Sequence, residues 1–77
     1  MSVRIEPEVC RKLGLAIKRR RLARGLSQEK LAERADCHRN QVGFVERGEV
    51  SVSFSTLYRL AQALETTIAS LSRSAKV

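Results

Sequence analysis

The apolar residues of this 77-residue chain recur mostly at intervals of three and four, the period of helices with one buried face. Leu13, Ala16, Ile17 and the aliphatic stem of Arg20 share a face and predict a first helix over residues 7–24. Pro7 suits its first turn, flanked by Glu6 and Glu8, and Gly25 ends it before Leu26 folds back into the core. Leu15 and Leu22 lie off that stripe, placed to be partly exposed or to touch a partner. Ser27 is an N-cap, Gln28, Glu29 and Lys30 favour helix, and Leu31, Ala32 and Ala35 make an apolar face. Asp36 and Cys37 interrupt the pattern, and His38, Arg39 and Asn40 open a third helix. That helix turns Val42 and Val45 inward and stops at Gly48. Ser53 caps a fourth, in which Phe54, Leu57, Ala61 and Leu64 form an apolar wall together with Tyr58 and Leu60. Thr66 or Thr67 caps a short fifth holding Ile68 and Leu71. The prediction is an all-α domain of five helices, with a flexible arm at 1–6 and a frayed tail at 73–77.

The centre of this arrangement is Ser27 to Gly48, two helices of about two turns joined by a tight turn. Ala32 is small enough for the two helices to cross closely, and Cys37 and Val42 fill the space between them. Arg39, Asn40, Gly43, Phe44 and Arg47 are left pointing away, mostly hydrogen-bond donors or small residues. A helix with such a face suits the DNA major groove, which is wide enough to admit it. Spacing alone also allows an αα-hairpin that only packs.

LSQEKLAERA, a short turn and RNQVGFVERG together resemble the Cro/repressor type of helix-turn-helix protein. The resemblance extends upstream through Leu13, Gly14, Ile17, Arg21 and Gly25, and downstream through Ser53, Phe54, Leu57, Leu60, Ala61, Ala63 and Leu64. It covers roughly residues 11–72 and implies a lambda-repressor-like fold that binds double-stranded DNA as a homodimer. It also implies a partly buried ion pair between Arg21 and Glu46, and a phosphate contact at Gln28. Asp36 stands where the family usually has glycine, at a turn position that needs left-handed backbone. His38 replaces the usual Ser or Thr cap. The small size resembles restriction–modification controller proteins and phage Cro-like repressors, which regulate transcription in response to their own concentration. An antitoxin-type interaction module that also binds DNA is the alternative.

Charge sharpens this picture. Fifteen Lys and Arg against eight Asp and Glu give a net charge of +7, which fits a polyanionic partner. Only three aromatic residues are present, too few for binding single strands by base stacking. Arg39 is the candidate for a bidentate contact to guanine, and Asn40 for a hydrogen bond to a base or phosphate. Gly43 lets the helix approach the bases closely, and Phe44 either meets a thymine methyl or packs inside against the fourth helix. Gln28, Gln41, Arg47, Ser51 and Arg21 are the phosphate candidates, and Ile68 and Leu71 the candidate dimer contacts, unless both only close the core of the single chain.

Two cysteines without a CxxC pair and a single histidine argue against a metal site, and Cys37 reads as a buried thiol in a reducing compartment. Cys37 next to His38 is no dyad, because neighbours in a turn point apart, and no catalytic constellation is present. No cofactor and no small-molecule ligand are expected. The sequence carries no signal peptide and no long apolar run, so the expectation is a cytoplasmic protein without membrane contact.

Overall fold

Five helices occupy residues 6–77, the part of the chain described by this computed structural model: α1 (Pro7–Ala23), α2 (Gln28–Arg34), α3 (Arg39–Glu46), α4 (Phe54–Ala63) and α5 (Ile68–Ala75). Four of them start on a side chain that accepts from an otherwise unpaired backbone N–H. Ser27 Oγ accepts from Lys30 N at 3.0 Å, Ser53 Oγ from Thr56 N at 3.1 Å and Thr67 Oγ1 from Ser70 N at 3.0 Å. His38 fills the same place for α3, its Nδ1 accepting from Asn40 N at 3.1 Å. Imidazole thus replaces the hydroxyl expected there.

The helix ends are equally regular. After α3, Gly48 has φ +70°, its N–H donates to Val45 O at 3.0 Å, and Glu49 N donates to Phe44 O at 3.0 Å. This paired bonding is the Schellman motif. The same motif closes α2 through Asp36 and α4 through Glu65, both at φ +55°, without glycine. Asp36 therefore adopts the left-handed backbone that its place in the turn requires.

The core is formed by Leu13 and Ile17 of α1, Leu31, Ala32 and Ala35 around α2, Val42 and Val45 of α3, Leu57, Leu60, Ala61 and Leu64 around α4, and Leu71 of α5. α1 packs against both α3 and α5, while α4 backs α2 and α5. Gly14 sets the α1–α3 distance: a Cβ there would lie 2.2 Å from Val45 O and 2.7 Å from Glu46 O. Arg20 is half-buried, and it contributes by donating from Nε to Leu64 O at 3.1 Å and from Nη2 to Glu65 O at 3.0 Å. It thereby satisfies carbonyls at the end of α4 that the helix itself leaves unpaired.

Three expectations need correction. Leu71 is only 3% exposed and belongs to the core of the single chain, so it is not a free dimer contact. Phe54 and Tyr58, placed in the apolar wall of the fourth helix, are 72% and 50% exposed, outside the buried stripe of Leu57, Leu60 and Ala61. The tail is helical to Ala75 instead of frayed from 73, since α5 continues alongside α1. Glu6 is the N-cap of α1, and the remainder of the expected arm, residues 1–5, lies outside the described residues. Leu15 and Leu22 are exposed on the outer face of α1.

Candidate nucleic-acid interface

The outward face of α3 is fixed by its inward one. Val42, Val45 and Glu46 are buried, which at helical spacing turns Asn40, Phe44 and Arg47 to solvent, with Arg39 at the first turn. These residues and Gly43 line a cleft of about 590 Å³ together with Ser27, Gln28 and Glu29 of the α2 start. Arg21 also borders it. The Arg47 guanidinium lies back along its own helix, 5.3 Å from the centre of the Phe44 ring. Its Nη1 is 3.0 Å from where a Gly43 Cβ would stand, so Gly43 is covered by Arg47 and is not itself on the surface.

Beneath this helix runs a buried polar network. Arg21 donates from Nε to Glu46 Oε2 at 2.6 Å and from Nη2 to Glu46 Oε1 at 3.1 Å, a bidentate pair. Its Nη1 donates to Leu26 O at 2.8 Å. The two side chains are 9% and 2% exposed, so the pair ties the end of α3 to α1 inside the molecule. Gln28 Nε2 donates to Glu46 Oε1 at 3.0 Å and joins α2 to the same carboxylate. One glutamate thus holds three helices in register, and each buried charge has its partner.

Carboxylates also meet the exposed arginines. Glu29 Oε1 accepts from Arg39 Nη1 at 2.5 Å. Glu49 accepts from Arg47 Nε at 2.8 Å and Nη2 at 3.3 Å, which pushes the Arg47 guanidinium above its ordinary value. In the turn between α2 and α3, Cys37 is a free, half-buried thiol. Burial raises its pKa, and Asp36 adds to this, while Arg59 works against it.

The profile of the helix-turn-helix family matches residues 17–71, from the middle of α1 to α5. The chain belongs to this helix-turn-helix family. Over 46 residues it is 52% identical to control protein C.SmaI of Serratia marcescens, a match covering 60% of this chain and 55% of that protein. The chain thus matches about half the length of this curated relative. The restriction–modification controller protein C.AhdI from Aeromonas hydrophila has a similar structure, with a TM-score of 0.79 at 40% identity over 80% of this chain and 94% of that one. The clp gene regulator ClgR from C. glutamicum matches with a TM-score of 0.84 at 26% identity over 88% of each chain.

In this helix-turn-helix chain, Arg39, Asn40, Phe44, Arg47 and Gln28 line one cleft, whereas Gly43, expected at the bases, is buried beneath Arg47. Arg21 borders the same cleft, but its guanidinium is engaged inside the protein and supports α3. Gln28, expected as a phosphate contact, also braces Glu46 from the edge of the cleft. Gln41 is half-buried and does not line the cleft, and Ser51 lines a separate cavity with Glu6, Pro7 and Gly48. Glu29 and Glu49 were absent from the expected site. The former pairs across ten residues of sequence, a distance at which no local periodicity gives a signal.

Among the described residues, no group of three or more His, Cys, Asp and Glu is placed to hold a metal, and no helix is long and apolar enough to cross a membrane.

Proposed function

We propose that this chain is a sequence-specific regulator of transcription that binds double-stranded DNA as a homodimer on a two-fold-symmetric operator in the cytoplasm. α3 enters the major groove. The observation that carries this reading is the exposed row Arg39, Asn40, Phe44 and Arg47, held on a buried network in a chain of net charge +7. Arg39 contacts guanine, with Asn40 and Phe44 at neighbouring bases, while Arg47 and Gln28 contact phosphates. The likeness to restriction–modification controller proteins supports autoregulation through the level of the protein itself. The reading assigns the chain no catalysis, cofactor or small-molecule ligand.

A second copy fits on α4 and α5. Phe54 and Tyr58, 72% and 50% exposed, border an apolar groove of about 420 Å³ with Ala61 and the half-buried Ile68. Pairing across this surface removes exposed aromatic area from water and supplies the second reading helix that a symmetric operator needs. Ile68 keeps its proposed place at the interface, and Phe54 and Tyr58 take that of Leu71.

Binding to a panel of single-base operator variants tests the assignment of α3. Arg39→Ala is expected to cost about 1–3 kcal/mol at one base pair per half-site and relax the preference there. Arg47→Ala weakens all sequences alike and lowers the slope of log affinity against log salt by about one. An unchanged preference profile in Arg39→Ala would refute the assignment of Arg39 as the reading residue.

A further inference from the structure

We infer that Glu29 is a specificity-determining residue of the DNA-reading surface: it holds Arg39 as a reader of guanine and makes it a poor ligand for phosphate. The inference rests on the DNA-binding reading above. Arg39 is the first residue of α3 and Glu29 the second of α2, and their side chains meet at the mouth of the cleft, Nη1 to Oε1 at 2.5 Å. Both side chains are well exposed, at 62% and 69%, so no burial of either side chain enforces the contact. A carboxylate on a surface built to meet a polyanion opposes binding unless it serves discrimination.

The chemistry of the two acceptors explains how it does so. A guanidinium carries five N–H donors in a rigid fork, and Glu29 engages Nη1. Nε and Nη2 remain as an adjacent pair for guanine O6 and N7, which are neutral acceptors. A phosphate is an anion, and the Arg39–Glu29 pair has no net charge with which to attract it. The carboxylate also stands next to any phosphate that approaches the arginine. Glu29 therefore leaves base readout intact and reduces sequence-independent binding. Once DNA excludes water from the cleft, the effective dielectric falls and the pair tightens. Arg47 differs, because Glu49 occupies both its Nε and Nη2. The paired edge that a guanine would need is therefore taken, Nη1 is left for a phosphate, and neutralising Glu49 affects all sequences alike.

The test uses the full chain and a pool of random-sequence duplexes. Selection by the wild-type protein yields a preferred site, and loss of preference in Arg39→Ala marks the base pair that Arg39 reads. In Glu29→Gln, the preference for guanine at that pair is expected to fall by roughly fivefold or more, the lower end of what a bidentate contact supplies. Binding to unselected duplex tightens, and its salt slope steepens by about one. Glu29→Asp keeps the charge but is one methylene shorter. It loses preference at the same pair while its affinity for unselected duplex stays at the wild-type level. Glu49→Gln shifts selected and unselected duplexes by the same factor. Circular dichroism verifies that each variant remains helical. An unaltered preference profile in Glu29→Gln, or an equal shift for selected and unselected DNA, overturns the inference and leaves the DNA-binding reading standing. If the wild-type chain enriches no sequence from the pool, both fall.

Discussion

Asp36 carries a backbone cost that its side chain only partly relieves. At φ +55° it occupies the left-handed region, where an L-residue brings Cβ close to the following carbonyl. Asp36→Gly removes that contact and loses some stability through the freer unfolded chain, for a net gain of about 0.5 kcal/mol. A rise of a few degrees in the thermal midpoint is the expected result. The Arg21–Glu46 pair is the opposite case, a costly arrangement that is well compensated. Glu46→Gln leaves the Arg21 charge in a buried site without its counter-ion, and about 3 kcal/mol of stability should be lost. Glu65→Gln breaks a pair with Arg24 at the surface, where solvent screens both charges, and should cost less than about 1 kcal/mol. Urea unfolding of the two variants compares the effects, and equal midpoints would contradict the structural role of Glu46. Both residues of the buried pair were legible from the family resemblance. Gln28 as their third partner was not, because its bond to Glu46 spans 18 positions.

The helices themselves were the most legible part, because caps and periodicity act within a few residues. Ser27, Ser53 and Thr67 cap the helices that follow them. Packing between helices was less legible. The contact of α1 with α3 depends on a hydrogen atom where other residues have Cβ: Gly14 faces the backbone carbonyls of Val45 and Glu46. Gly14→Ala would favour helix formation locally by about 1 kcal/mol, yet it inserts a methyl group where backbone atoms cannot yield. The packing term prevails, and a net loss of about 2 kcal/mol is expected in urea unfolding, with α3 displaced relative to α1. Amide shifts concentrated in α3 and reduced operator affinity would accompany it. An unchanged midpoint would mean that the two helices separate at little cost. Phe54 illustrates the limit of periodicity, which gives the direction of a side chain around its helix but not whether another element lies opposite.

At the scale of the whole molecule, the proposed dimer draws its contacts from the α4–α5 surface. Phe54→Asp alters a side chain that is 72% exposed and should leave the fold intact. The expected outcome is a folded monomer in sedimentation at micromolar concentration, with sharply weakened binding to a two-fold operator. Leu71→Asp buries a carboxylate in the core and is expected to unfold the chain. A Phe54→Asp protein that still sediments as a dimer would place the interface elsewhere, with Leu15 and Leu22 on α1 the next exposed apolar surface.

The sequence by itself determined the five helices, the caps of α2 to α5, the helix-turn-helix at the centre and the outward direction of Arg39, Asn40, Phe44 and Arg47 on α3. These depend on interactions within one or two helical turns, so the order of residues is enough to specify them. Tertiary structure alone decided the rest. It made Glu46 the common partner of Arg21 and Gln28, assigned Leu71 to the core and Phe54 to the surface, and brought Glu29 to Arg39. Each of these turns on which helix lies opposite which, and that is fixed by how the apolar faces of all five pack at once.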